Sequence, residues 1–108
     1  MESRLTYAIK YVADMEKAVA YFRDTLGLTL RFQSPGWSEF ATGDVTLALH
    51  LATQDEPAGT TELGFRVADV GREYASRTLA FVEAPREVHG TRIARFRDLD
   101  GAACSLSS

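Results

Sequence analysis

The sequence predicts an α+β domain built from two tandem β-α-β-β-β modules, and three observations predict it. Residues 12–15 read VADM and residues 67–70 read VADV, 55 positions apart in a chain of 108 residues. Strand, helix and turn signals then follow both tetrapeptides in the same order. Phe40 lies 56 positions before Phe96, and a Gly/Asp turn follows each phenylalanine. Matching order, spacing and turns together mark a unit written twice.

In the first module, LTYAIKYV (5–12) is rich in β-branched, aromatic and aliphatic residues, as a strand should be. Asp14 offers an N-cap, and Met15, Ala18, Val19, Phe22 and Leu26 fall at helical spacing before Gly27, a natural C-terminal stop. Three short apolar runs follow, LTLRFQ (28–33), GWSEFA (36–41) and VTLALHLA (45–52), divided by Ser34-Pro35-Gly36 and Gly43-Asp44 turns. The polar Pro/Gly segment QDEPAG (54–59) reads as a linker. The pattern then restarts with TELGFRV (61–67), the cap Asp69 and a shorter helical stretch containing Val70 and Tyr74. LAFVEA (79–84), TRIARFR (91–97) and AACSLS (102–107) supply three more strands. Module one thus spans 1–54 and module two 60–108, within a single domain.

A chain of this length is large enough for a real core but not for a second lobe. Its 45% apolar and 25% charged residues are ordinary for a globular protein. A net charge of -3 without a basic cluster argues against nucleic acid as a partner. No run approaches the roughly 18 apolar residues of a membrane span, so no membrane partner is expected. The start MESRLTY lacks a basic segment followed by an apolar one, and a cytoplasmic location is the expectation. The single cysteine, Cys104, excludes an intrachain disulfide and a multi-cysteine zinc site, and reads as a buried thiol.

The stretch YVADMEKAVAYFRDTLGL resembles the first strand and helix of the vicinal oxygen chelate superfamily, which includes glyoxalases, bleomycin-resistance proteins and extradiol dioxygenases. HGTRIARFRDLDGAACSL resembles its second-module ending. The resemblance implies that each module curls its strands into half of an open, cup-shaped mixed sheet, and that the paired halves enclose a ligand. Two departures stand out: Leu99 replaces the proline usual in the family's last turn, and no glycine precedes LAFVEA to match Gly27.

Alternation along each strand sorts the residues into two faces. Val45, Leu47, Leu49 and Leu51 form the apolar set expected under the helix, leaving Thr46, Ala48 and His50 for the cup. Cys104 and Leu106 face the core, and Ala103, Ser105 and Ser107 the cup. Leu63, Phe65 and Val67 form a core set, with Glu62, Gly64 and Arg66 opposite. In the first strand Tyr7, Ile9 and Tyr11 are expected in the cup, with Lys10 snorkelling at the edge.

The superfamily is known for a divalent metal held by His, Gln or Glu from the first and last strand of each module. Those positions fall at Tyr7, Ala48, Glu62 and Ser105, of which only Glu62 is a plausible ligand. Sites of this type supply about three or more ligands, so the centre reads as dismantled and no cofactor is expected. A divalent ion would need displaced ligands, with His50 joining Glu62 and Glu39. His89, in the loop PREVHG, reads as an exposed loop residue or a contact at the cup mouth.

The expected ligand-binding set is Tyr7, Tyr11, Trp37, Glu39, Ala48, His50, Glu62, Arg66 and Ser105, an aromatic wall with a few polar groups. The bland alternative is that Tyr7, Tyr11 and Trp37 are core aromatics and that Glu62 and Arg66, four apart on one strand, satisfy each other or solvent. The resemblance favours a metal-independent binder of a small organic molecule, acting as a homodimer and similar to the bleomycin-resistance branch. A glyoxalase-like lyase or isomerase using His50 and Glu62 as catalytic acid-base groups, with or without a metal, is the rival. A dimeric module serving only protein association is the third reading. Glu62 and Glu39 would favour a cationic ligand and Arg66 an anionic one.

Overall fold

A computed structural model describes all 108 residues and divides them into two compact units, Tyr7–Thr61 on the one hand and Met1–Thr6 with Glu62–Ser108 on the other. The architecture is α+β, with nine strands, two helices and open sheets. No helix is long and apolar enough to cross a membrane.

Unit Tyr7–Thr61 holds most of β1 (Arg4–Val12), then α1 (Met15–Ala20), β2 (Thr29–Gln33), β3 (Trp37–Ala41) and β4 (Thr46–Leu51). The strands lie in the order β2-β3-β4-β1. β1 and β4 are parallel, so the chain between them must cross over, and α1 makes that crossing. Asp14 starts the helix by accepting a hydrogen bond from the Lys17 N–H at 3.1 Å. The helix widens into a π-helical turn over Tyr21–Thr25, where the Leu26 N–H donates to the Tyr21 carbonyl. Gly27, at φ 70°, then takes the left-handed conformation that ends it.

The apolar face of α1 explains this unit's core. Met15 and Val19 pack with Phe40 and Leu49, and Val12, Phe22, Leu28, Leu30 and Leu47 close around them. Leu47 and Leu49 are thus on the helix side, where alternation puts them. Ser38, fully buried among these apolar residues, satisfies its hydroxyl by donating to the Met15 sulfur at 3.3 Å. Lys10 reaches the edge and donates to the Thr61 hydroxyl at 3.4 Å, so its charge stays near water while its stem is covered. The segment 54–59 is tied back to β1, because the Gly59 N–H donates to the Tyr11 carbonyl and the Tyr11 N–H donates to the Thr60 carbonyl.

The other unit contains β5 (Thr61–Arg66) from Glu62 onward, α2 (Val70–Ser76), β6 (Ala80–Phe81), β7 (Arg86–Val88), β8 (Thr91–Arg97) and β9 (Ala103–Ser107). Its strands run β5-β9-β8-β6, with β7 also paired to β8. The expected strand 79–84 is therefore cut to two residues, and β7 is an added strand. Pro85 explains the break, since it donates no ladder hydrogen bond and restricts Ala84 before it. β7 and β8 join through His89 and Gly90 at φ 49° and 80°, the two-residue turn with two left-handed positions that suits a hairpin. His89 is exposed there.

α2 is capped by Asp69, which accepts from the Arg72 N–H at 3.1 Å, and stops at Arg77, left-handed at φ 53° where Gly27 served in the first unit. The core beneath it joins Val67, Val70, Ala94, Phe96, Cys104 and Leu106, with Phe65, Leu79 and Phe81 packed against them. Leu63 has the parity of this core but stays 41% exposed. The seven-residue α2 is too short to cover it. In the last turn Asp98 Oδ1 accepts from the N–H groups of Asp100 and Ala102 and Gly101 takes φ 86°, so the fully exposed Leu99 does no structural work there.

Candidate functional site

In unit Tyr7–Thr61 the sheet face turned away from α1 gathers most of the expected residues. Register sets them in rungs: Trp37, His50 and Tyr11 side by side, then Glu39, Ala48 and Ile9, then Thr46 and Tyr7. Tyr11, Ile9 and Ala48 are buried and form one cluster with the partly buried Tyr7 and Trp37. The Tyr11 and His50 rings are 4.9 Å apart, the Trp37 and His50 rings 6.0 Å and edge-on, and the Tyr7 and Trp37 rings 6.2 Å. Such spacings lie within the range of favourable aromatic packing. Ala48 has no side chain beyond Cβ and is fully buried between Glu39 and Ile9 on its rung.

Glu39 is held from two sides. Arg31 donates to one carboxylate oxygen at 2.8 Å and the Trp37 indole N–H to the other at 2.8 Å. The same Arg31 nitrogen reaches the Thr46 hydroxyl at 2.7 Å. A bulge between Leu30 and Phe32 breaks the β2 register at Arg31, and bulges commonly re-aim a side chain in this way. Arg31 was absent from the expected set because "LTLRFQ" reads as a plain strand, and a bulge depends on its partner strand. His50 Nδ1 lies 2.7 Å from the Leu51 carbonyl. A carbonyl only accepts, so this bond requires Nδ1–H and leaves Nε2 as the acceptor of the neutral ring.

The remaining expected residues belong to the other unit. Glu62 is 3% exposed and accepts from Arg95 at 2.9 Å. The pairing of Glu62 with Arg66 is thereby corrected: β8 lies beside β9, and the rung Gly64, Ser105, Arg95 brings Arg95 to the same face, whereas Arg66 is exposed at the end of β5. There Arg66 lines a surface depression with Met1–Arg4. Arg95 carries a legible signal after all, since it alternates with the buried Ala94 and Phe96. What periodicity does not supply is which acid it meets. Ser105 is half-buried on this face. Cys104 faces the opposite core at 5% exposure, and burial, with Asp98 and Glu62 adding to it, pushes its thiol above the ordinary range.

The donors present do not fit the divalent metal that the resemblance brings to mind. Ala48 offers no donor, the Glu62 carboxylate already faces a guanidinium, and Glu39 is bound by Arg31 and Trp37. No three His, Cys, Asp or Glu side chains converge anywhere in the chain. A cation placed beside Glu62 or Glu39 would also meet the fixed charge of Arg95 or Arg31.

Repeated units, each with a capped helix on one sheet face and polar and aromatic residues on the other, define a class of modular α+β proteins. The family model of the glyoxalase/bleomycin resistance protein/dioxygenase superfamily matches residues 4–106, and the chain belongs to that superfamily. Similar solved structures span nearly the whole chain. One is described as an NAD-dependent benzaldehyde dehydrogenase from Legionella pneumophila (TM-score 0.74, 16% identity, 98% of this chain and 97% of that one). Another is a superfamily member from Vibrio splendidus 12B01 (0.72, 15%, 98% and 98%). A third is Streptomyces coelicolor methylmalonyl-CoA epimerase in complex with 2-nitronate-propionyl-CoA (0.73, 17%, 96% and 95%). At these identities the likeness is one of fold. No curated protein matches the chain.

Proposed function

We propose that the protein binds a small organic molecule against the aromatic sheet face of Tyr7, Tyr11, Trp37 and His50, without the superfamily's metal. The observation that carries this reading is the aromatic cluster itself, kept partly open on the face that α1 does not cover. Aromatic walls with a few fixed polar groups are what small-ligand sites are made of. The state of the carboxylates bears on ligand charge. Glu39, on that face, is engaged by Arg31, so it does not support a cationic ligand, and the reading favours a neutral or anionic one. That the similar epimerase structure holds a CoA ester agrees with a ligand bearing negative charge.

The test is a thermal-shift screen of aromatic acids, thioesters and neutral aromatics, followed by titration monitored through Trp37, the single tryptophan. Anionic or neutral aromatics should raise the unfolding temperature and perturb the indole emission, and Trp37→Ala should remove the effect. Cationic aromatics binding best would overturn the charge assignment. No stabilisation by any compound would leave protein association as the better reading.

The second reading is a lyase or isomerase, favoured by one feature: the Leu51 carbonyl fixes the His50 tautomer with Nε2 as the free base. His50→Ala should abolish turnover if that reading holds and only trim affinity if the protein is a binder. A homodimer is part of the proposal. Exposed Tyr21, Leu26, Phe32 and Leu51 on one unit supply the apolar surface that a partner copy would cover.

A further inference from the structure

The two units are repeats, so each serves as a template for the other. Aligning the caps Asp14 and Asp69 places Met15 with Val70, Val19 with Tyr74 and Phe22 with Arg77. Aligning the edge-strand pairs, Leu30 with Phe40 and Phe81 with Phe96, places Leu47 with Cys104 and Leu49 with Leu106. In unit Tyr7–Thr61 the Phe22 ring packs on Phe40 with centroids 6.0 Å apart and Leu47 fills the space alongside. In the other unit both fillers are lost. Arg77 turns outward over the Tyr74 ring at 5.7 Å, and the Cys104 side chain is shorter than that of leucine.

A cavity of about 240 Å³ opens on the helix side of this unit's sheet, against Phe96 and Cys104, the counterparts of Phe40 and Leu47. Its wall is formed by Leu63, Phe65, Leu79, Phe96, Cys104 and Leu106, with Met1 and Ser3 at its border. The one charged side chain bordering it, that of Asp98, commits Oδ1 to two N–H groups of its own turn. A dry cavity near 150 Å³ already accommodates benzene, so this volume takes a ring with a small substituent.

We infer that this cavity is a second ligand site, taking one uncharged aromatic ring in the place that Phe22 occupies in the other unit. The ligand is uncharged, because six apolar side chains make the wall and the Asp98 carboxylate at its border repels an anion. It differs in that respect from the ligand proposed for the aromatic face, and either site can exist without the other.

The test uses toluene and benzyl alcohol as probes on the intact protein. Iodoacetamide labelling of Cys104, the single thiol, reports occupancy from the cavity wall. A probe at about nine times its Kd should slow labelling about tenfold, since reaction tracks the unoccupied fraction. Cys104→Leu restores the first unit's filler and cannot be labelled, so it is read by melting temperature and by methyl spectra of Leu63 and Leu79. It should melt higher than the parent and gain nothing from the probe. Trp37→Ala should retain the full probe response, which separates this site from the aromatic face. Saturation without slowing of Cys104, or an equal probe response in Cys104→Leu, would place the ring elsewhere and overturn the inference. Slowing of the labelling by raised protein concentration alone would overturn it too, since a second copy would then cover the cavity.

Discussion

Glu62 is the most deeply buried carboxylate of the chain, and its ion pair with Arg95 has little water to weaken it. Removing only the cation takes the charged partner away from a buried carboxylate. Arg95→Met should therefore cost about 2–4 kcal/mol in urea unfolding, toward the lower part of the range for buried pairs because Arg95 is itself 28% exposed. Arg31→Met breaks a pair whose cation is half exposed and should cost under about 1 kcal/mol. Equal costs for the two would mean that burial does not set the difference. The Cys104 thiol is a second residue with a definite consequence. Its folded pKa is raised, chiefly by burial, so the native state keeps a proton that the unfolded chain releases from about pH 8.5 upward. Stability is complete below that pH and falls as pH rises through the window. Urea midpoints at pH 7 and pH 10 should drop further for the parent than for Cys104→Ala, and coincident drops would show that the thiol titrates alike in both states.

At the scale of elements, the two helices begin alike and end differently. Asp14→Ala and Asp69→Ala each remove a side-chain acceptor from a helix start and should cost about 1 kcal/mol. The helix ends diverge because Gly27 adopts φ 70° without steric cost, whereas Arg77 holds φ 53° against the preference of a side chain for negative φ. Arg77→Gly should stabilise the protein by several tenths to about 1 kcal/mol, less the modest Arg77–Tyr74 ring contact. A loss of stability would show that the ring contact outweighs the backbone term. The caps and Gly27 were legible because each signal lies within a few residues of its partner. β7 was not, since Arg86-Glu87-Val88 has no apolar alternation and becomes a strand only through pairing with β8.

For the whole molecule, the α+β architecture follows from the repeat, membership of the superfamily rests on the family model that matches residues 4–106, and the proposed dimer is the open consequence. Sedimentation equilibrium should give a mass near twice 11.9 kDa, and Phe32→Glu should lower it toward the monomer if the exposed apolar set is the interface. A monomeric parent at micromolar concentration would remove the dimer from the proposal. By itself the sequence determined the strand and helix order of the first module, the helix caps and the face on which Tyr7, Tyr11, Trp37, Ala48 and His50 lie. All of these depend on local propensity or a two-residue period. Only the tertiary structure decided that Arg95 and not Arg66 meets Glu62, that Arg31 reaches Glu39 across a bulge, and that a cavity opens over Cys104. Those outcomes depend on which strands become neighbours and how far a helix reaches over them, and a periodic pattern holds no record of either.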